Sequence, residues 1–203
     1  PRLFPEQLIY IMNHAEDKIL FFDLTFLPLI EKIAPALTTI KTYVVYCEKK
    51  DLPKSGLPNL YAYEDFIAGR KSDMAWGGFD ENTACGLCYT SGTTGNPKGV
   101  LYSHRSNVLH TLLTMQGDVM GLSVNDTVLP VVPMFHANAW GLTFSAPAVG
   151  ARLVLPGARM DGEAIYELLD TEKVTFTAAV PTVWLMLLQH LEATGKTLPH
   201  LKK

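Results

Sequence analysis

One segment rich in glycine and hydroxyl side chains, YTSGTTGNPKGV at positions 89–100, restricts what this chain can fold into. It lies between two apolar runs, at 85–89 and 100–102, which are typical of strands. Its glycines allow the backbone to turn through positive φ and to bring N–H groups close to an anion. The hydroxyls supply neutral donors, and Lys98 supplies a mobile positive charge. The segment therefore predicts a strand, a polyphosphate-binding loop and a second strand.

Two other phosphate-binding motifs do not fit this segment. A Walker A loop requires Gly-Lys-Ser/Thr after a first glycine and four residues, and no lysine directly follows Gly95. The sequence Gly195-Lys196-Thr197 has His190 where that first glycine should stand. The glycines at 92, 95 and 99 are spaced by three and four positions, which does not match G-x-G-x-x-G. A kinase or P-loop NTPase and a dinucleotide-binding domain are both disfavoured.

Short apolar runs alternate with helical patterns along the chain, which favours an α/β fold. We predict a mostly parallel sheet with flanking helices, and ligands at the carboxyl ends of its strands. The predicted strands are 18–23, which we expect to be buried, 41–47, 83–89, 100–103, 127–132, 152–155 and 174–179. The predicted helices are 5–14, 27–34, 62–68, 104–120, 139–149, 162–173 and 181–194, with Ser103 as an N-cap. Residues 1–82 would form part of a first α/β subdomain and a connection, and 83–203 a second subdomain that carries the loop.

The order of residues from Thr90 to Gly99 resembles the signature phosphate loop of the AMP-forming acyl-adenylate superfamily. This superfamily includes acyl-CoA synthetases, luciferases and the adenylation domains of peptide synthetases. A second segment, VPMFHANAWG at 132–141, resembles the run that lines the nucleotide pocket in fatty acyl-CoA synthetases, and the agreement continues through 150–157 and 174–184. The chain resembles an internal part of this family, closest to medium- and long-chain fatty acid–CoA ligases. A partial N-terminal domain of the adenylate-forming fold is therefore expected.

The resemblance implies roles for particular residues. His136 would lie near the α-phosphate or the carboxylate as a catalytic residue, and a hydrogen-bonded structural histidine is the alternative. Ala137 would offer its backbone to the nucleotide, while Trp140 would line the nucleotide pocket and gate the acyl tunnel, with a core aromatic as the alternative. Lys98 would act in catalysis, and Thr90 would also contact magnesium. The residues implied to bind the nucleotide phosphates are Thr90, Ser91, Gly92, Thr93, Thr94, Gly95 and Lys98.

The implied reaction joins a carboxylate to the α-phosphate of ATP, releases pyrophosphate and then forms a thioester with coenzyme A. ATP, Mg²⁺ and coenzyme A as co-substrate are therefore expected, with a fatty acid as the substrate. A ligase for a short, aromatic or sulfur-containing acid and a non-catalytic phosphate-binding fragment are the alternatives.

Some parts of the family pattern are missing from this sequence. It contains no Tyr-Gly-x-Thr-Glu segment, no later aspartate for the ribose hydroxyls, and no small C-terminal domain with its lysine. We therefore expect an internal fragment that does not form acyl-adenylate by itself. We also expect the phosphate loop to be poorly ordered without nucleotide and to close on binding, because few apolar residues anchor it.

Composition restricts the partners and the compartment. A hydrophobic fraction of 48% and a net charge of -3 indicate an ample core and no basic surface for nucleic acid. Three cysteines do not suggest a disulfide framework, so a reducing, cytoplasmic compartment is expected. Cys85 and Cys88 should face opposite sides of a strand as packed thiols. The most apolar segment, 137–151, is too short to span a membrane. Acyl length and oligomeric state stay open, and a homodimeric parent is one option.

Overall fold

The computed structural model describes residues 3–90 and 95–203. These residues form two compact units. The first unit contains the described residues up to 79 and from 89 to 100, and the second contains 80–88 and 101–203. Each unit has a three-stranded parallel sheet of its own.

The sheet of the first unit has the strand order β1-β2-β3. Its strands are β1 (Ile19–Asp23), β2 (Thr42–Tyr46) and β3 (Leu60–Ala62), and its helices are α1 (Pro5–His14), α2 (Leu27–Ile33) and α3 (Tyr63–Ile67). Successive residues of the middle strand β2, namely Tyr43, Val44 and Val45, are all buried. Since successive side chains of a strand point to opposite faces, β2 is covered on both sides, as is typical of a parallel sheet.

The strand β1 corrects one sequence prediction. We expected 18–23 to be buried, but Phe22 is the one buried residue of β1, while Ile19 and Phe21 are exposed. The strand order places β1 at an edge of this sheet, where it has a single neighbouring strand.

The strand β3 was not predicted, because three residues are too few to show a periodic pattern.

A two-stranded sheet of β4 (Ala84–Tyr89) and β5 (Gly99–Ser103) follows, and then α4 (His104–Thr114). The parallel sheet of the second unit has the order β7-β6-β8. Its strands and helices are β6 (Thr127–Pro130), α5 (Leu142–Val149), β7 (Arg152–Leu153), α6 (Gly162–Thr171), β8 (Phe176–Ala178) and α7 (Pro181–Thr194). The predicted α/β class with a mostly parallel sheet is confirmed.

Two predicted helices differ from the observed ones. The Ser103 hydroxyl accepts a hydrogen bond from Ser106 N at 3.1 Å, which confirms the predicted N-cap of α4. The helix ends at Thr114 rather than at 120, since Gly117 and Gly121 follow and Gly121 has a left-handed φ of +58°. The helix predicted at 139–149 begins only at Leu142, because the residues before it are left-handed.

Separate apolar cores stabilise the two units. The core of the first unit is formed by Leu8, Phe22, Leu27, Ile30, Ile33, Leu37, Ile40, Tyr43, Val45 and Leu57. In the second unit, β6 lies between two clusters, one of which includes Leu129, Ile165, Leu169, Val183 and Leu187, and the other Val128, Val132, Ala139, Leu142 and Ala146. Within the described part of the chain, no helix is both long enough and apolar enough to cross a membrane.

Candidate functional site

The phosphate loop predicted from the sequence connects β4 to β5, and its two ends are hydrogen-bonded to each other. Thr90 N donates to the carbonyl oxygen of Lys98 at 3.0 Å, and the Thr90 hydroxyl lies 3.5 Å from the same oxygen. Gly95 has a φ of +126°, a conformation that side chains with a Cβ rarely adopt. Pro97 is buried, whereas Lys98 is exposed. The lysine is therefore available to a ligand while the proline anchors the loop.

Ser91, Gly92, Thr93 and Thr94 lie outside the described residues. The hypothesis that the loop orders and closes on nucleotide concerns the same stretch and stays a prediction. Thr90, Gly95 and Lys98 are the predicted phosphate-binding residues whose positions the structure gives. Thr90 and Lys98 are adjacent at the base of the loop through the hydrogen bond between their backbones.

The residue before the loop, Tyr89, has a partner that the sequence did not reveal. Its hydroxyl lies 2.6 Å from Nδ1 of His14 at the end of α1, and the His14 ring stacks on Tyr10 at a centroid distance of 5.3 Å. Burial raises the pKa of Tyr89, and the negative charges that Tyr10 and Asp17 carry when ionised raise it further. The phenol therefore stays neutral at physiological pH. No local pattern could have indicated a contact between residues 75 positions apart.

The second predicted segment follows β6, at the carboxyl end of a parallel strand, where ligands of α/β proteins bind. Val131 and Val132 are buried, and the chain then emerges with Phe135 80% exposed. His136 is exposed, and its backbone N–H donates to the carbonyl of Pro133 at 3.0 Å. The exposed position of His136 is compatible with the predicted contact to a ligand. That role and the alternative of a hydrogen-bonded structural histidine both stay predictions.

A left-handed turn (Ala137–Trp140) contains two of the predicted site residues, Ala137 and Trp140. The φ angles of its four residues are 45°, 54°, 54° and 55°. Each residue with a Cβ disfavours this region by about 1–2 kcal/mol, and such strained residues cluster at functional sites. Trp140 is 36% exposed, so it is not a fully buried core aromatic.

The turn is anchored by its second residue. The Cys88 thiol donates to Oδ1 of Asn138 at 3.3 Å, and the Thr143 hydroxyl donates to the carbonyl oxygen of Asn138 at 3.0 Å. Ala139 is fully buried in the core cluster of β6 and α5. Sequence reasoning included Asn138 in the segment that resembles the family run but gave it no role of its own. Asparagine tolerates the left-handed region better than most residues, which was a usable signal.

The cysteines behave as separate thiols. Cys88 contacts Asn138, whereas Cys85 lies 3.4 Å from the carbonyl of Tyr102 and accepts from the Asn107 amide at 3.0 Å. Cys85 is exposed, which corrects the prediction that it is packed. Burial, with a smaller effect of the Asp51 charge, raises the pKa of the Cys47 thiol.

No group of three or more His, Cys, Asp or Glu side chains among residues 3–90 and 95–203 is placed to hold a metal ion. The predicted contact of Thr90 with magnesium stays a prediction. Two shallow surface hollows involve other residues: one is lined by Gly157, Arg159, Ala164, Glu167, Leu168, Thr171 and Glu172, and one by Thr42, Tyr61, Asp65, Phe66, Ala68, Gly69 and Arg70. Neither hollow contains a predicted site residue.

Known proteins resemble the chain over its whole length. The family described as "AMP-binding enzyme" matches residues 1–203. The 3-methylmercaptopropionyl-CoA ligase of Ruegeria lacuscaerulensis is 51% identical over 203 residues, which are 100% of this chain and 38% of that protein. The medium-chain-fatty-acid–CoA ligase of Ectopseudomonas oleovorans is 52% identical over 195 residues, which are 96% of this chain and 36% of that protein.

Solved structures resemble the chain as well. The crystal structure of the anthranilate CoA ligase AuaEII in complex with anthranoyl-AMP superimposes with a TM-score of 0.85 at 27% identity. The match covers 98% of this chain and 38% of that one. The chain thus spans less than two fifths of the length of each protein compared.

Proposed function

Since this chain belongs to the AMP-binding enzyme family, we propose that its gene product is an AMP-forming acid–CoA ligase. The reaction would activate a carboxylate with ATP to acyl-AMP and pyrophosphate, and then transfer the acyl group to coenzyme A. Fatty acids of medium or long chain length are the proposed substrates. A role in lipid metabolism, a cytoplasmic location and a homodimeric assembly belong to the same proposal.

The closed base of the phosphate loop is the observation that carries this proposal. The hydrogen bond from Thr90 N to Lys98 O fixes both ends of a glycine-containing loop, and it leaves the Lys98 side chain exposed. Such a loop can present backbone N–H groups and one ammonium to a polyphosphate. These are donors that suit the triphosphate of ATP.

We assign the remaining steps to the residues after β6. His136 would lie at the reacting carboxylate and α-phosphate, Ala137 would contact the nucleotide through its backbone, and Trp140 would line the entrance for the acyl chain. Thr90 would contribute its hydroxyl to Mg²⁺, and the ion would neutralise charge on the leaving pyrophosphate. Electrostatic stabilisation of this kind is usually the largest part of such catalysis.

A ligase for a sulfur-containing acid is the second candidate. The Ruegeria protein, described as a 3-methylmercaptopropionyl-CoA ligase, is as similar to this chain as the fatty-acid ligase is, at 51% against 52% identity. Sequence identity over this part of the chain therefore does not indicate which of the two acids is the substrate. A short thioether acid and a fatty acid both carry an apolar tail that an apolar entrance would accept.

Carboxylate-dependent ATP–pyrophosphate exchange tests the proposal in the full gene product. Straight-chain fatty acids of increasing length, 3-methylmercaptopropionate and anthranilate would be compared at equal concentration. We expect exchange only when an acid is present, and the best acid identifies the substrate class. Exchange with none of these acids, or release of ADP instead of AMP, would contradict the proposed ligase.

The substitution Lys98→Ala tests the phosphate loop in the same assay. Loss of a hydrogen bond to a charged group should raise KM for ATP about tenfold or more. Lys71→Ala, in the exposed connection at 69–82, is the matched control and should leave KM for ATP unchanged.

The activity of the 203-residue chain alone is a separate test. Robust ATP–pyrophosphate exchange by the purified chain would refute our expectation that it is inactive by itself.

A further inference from the structure

The left-handed turn is unusual because its residues are consecutive. Among the described residues, the other non-glycine positions with positive φ are Glu16, Asn59 and Lys173, and each of these occurs singly. Single left-handed residues end helices or form tight turns, whereas a run of them opposes the preference of every residue in it. The surrounding side chains must therefore determine the conformation of the turn.

Two elements contact the turn, and a third contacts Gly141, the residue that follows it. From β4, the Cys88 thiol donates to the Asn138 side chain at 3.3 Å, and from α5 the Thr143 hydroxyl donates to the Asn138 carbonyl at 3.0 Å. From α4, the ring of His110 lies beside Gly141, where a Cβ would approach Cε1 to 2.5 Å. These contacts hold the residues on both sides of Trp140.

The contact from β4 has an additional consequence. Cys88 precedes Thr90 by two residues, so the strand that leads into the phosphate loop also holds the turn that carries Trp140. Cys88 is partly buried. Its partner, Asn138, is the one residue of the turn whose side chain is hydrogen-bonded to β4. A displacement of β4 at Cys88 would be transmitted to the turn through this bond.

We propose that Cys88 and Asn138 are positioning residues for Trp140, and that they thereby help to determine which acyl chains the enzyme accepts. Neither residue needs to touch the substrate. The bond between them acts with the Thr143 and Ala139 contacts to hold the left-handed conformation of residues 137–140, and it sets the direction of the Trp140 ring. The effect on specificity rests on the proposed ligase function, whereas the effect on the ring does not.

Fluorescence of Trp140 tests the positioning without any activity. In a background with Trp76→Phe and Trp184→Phe, Trp140 is the single tryptophan, since the chain has three. Cys88→Ala should shift the equilibrium between conformations of the turn by about two- to tenfold, the range expected for the loss of one hydrogen bond. Acrylamide quenching of Trp140 should change measurably as a result. Cys88→Ser keeps a donor and should restore most of the original quenching.

Two further variants separate the bond from general effects. Asn138→Gly removes the acceptor but retains easy access to positive φ, so it should change quenching as Cys88→Ala does. Cys85→Ala removes a thiol of the same strand that contacts Tyr102 and Asn107 instead, and it should change nothing. Unchanged quenching in both Cys88→Ala and Asn138→Gly would overturn the proposal, even if either variant were less stable.

The acyl preference provides the second measurement. In the full gene product, Cys88→Ala should alter the ratio of kcat/KM for a long and a short acid by about two- to tenfold, while Cys88→Ser and Cys85→Ala should keep the wild-type ratio. A uniform fall for all acids would refute a role in specificity. If the wild type shows no carboxylate-dependent exchange, the proposed function fails, and the quenching results still decide whether the pair positions Trp140.

Discussion

At the scale of single residues, Asp126 shows how one carboxylate joins distant parts of the second unit. It accepts hydrogen bonds from the backbone and side chain of Ser123 at 2.8 and 3.0 Å, and from the Thr175 hydroxyl at 2.7 Å. Burial opposes the charge of Asp126, but the bonds from Thr175 and Ser123 and the charge of Lys202 hold its pKa below the ordinary value of 3.8. The ionised form therefore stabilises the start of β6 against the start of β8.

Substitution of Asp126 by asparagine should lower the free energy of unfolding by about 1–3 kcal/mol at pH 7. An amide has one acceptor oxygen, so either the two donors of Ser123 or the hydroxyl of Thr175 would be left without an acceptor. Because the pKa is lower in the folded chain, the stabilisation is complete above the ordinary pKa of 3.8 and is lost as the pH falls through the folded pKa. Urea denaturation of both proteins at several pH values from 7 to about 3 measures the difference.

The difference between wild type and Asp126→Asn should thus shrink in acid. Asp118→Asn, at an exposed position, is the control and should have almost no effect at any pH. If the difference in the free energy of unfolding between wild type and Asp126→Asn were independent of pH, the charge of the carboxylate would not contribute to stability. The loss would then come only from the changed hydrogen bonding and packing at this position.

At the scale of elements, the packing of α6 against α7 depends on the first residue of α6. A Cβ at Gly162 would lie 2.2 Å from the carbonyl oxygen of Met186 and 2.8 Å from its carbonyl carbon. Backbone atoms of α7 cannot move aside as a flexible side chain can. The close approach lets Ile165 and Leu169 of α6 bury fully against this helix.

We expect Gly162→Ala to destabilise the second unit by about 1–3 kcal/mol, as overpacking usually does. The gain in helix propensity, at most about 1 kcal/mol, should not offset this loss. Gly157→Ala is the matched control, because no atom lies within 4 Å of its added Cβ. Thermal and urea unfolding check the prediction, and equal stability of the two variants would mean that α7 shifts without cost.

At the scale of the whole molecule, the outer surface of α4 is the feature with the clearest consequence. Val108, Leu109, Leu112 and Leu113 are between 46% and 64% exposed. Residues four apart lie on the same side of a helix, so these four form one apolar stripe. Contiguous exposed apolar surface promotes association in water.

The purified 203-residue chain should therefore associate with itself at micromolar concentration through this stripe. Leu109→Lys combined with Leu113→Lys should shift sedimentation velocity profiles toward the monomer. Because both side chains are exposed, the free energy of unfolding should change by no more than about 0.5 kcal/mol per site. Leu185→Lys combined with Leu188→Lys, at similarly exposed positions on α7, adds the same charge and is the control. Equal effects of the two double variants would refute a role for the stripe.

Local sequence determined much of this protein. The alternation of apolar runs and helical patterns gave the parallel α/β class, Pro181 marked the start of α7, and Ser103 marked the cap of α4. The composition of the loop at 90–99 indicated a phosphate ligand, which stays a prediction. Each of these signals depends on residues within a few positions of one another, where propensity and capping act.

Only the tertiary structure decided the details of the candidate site. The bond between His14 and Tyr89 spans 75 positions and that between Cys88 and Asn138 spans 50, and neither leaves a periodic pattern in the sequence. Local preference predicted a right-handed helix from residue 139, but contacts from β4 and α5 to Asn138, and from α4 to the adjacent Gly141, hold a left-handed turn there. The left-handed region costs each of these residues about 1–2 kcal/mol, and the burial of Ala139 together with the hydrogen bonds to Asn138 offsets that cost in the folded chain.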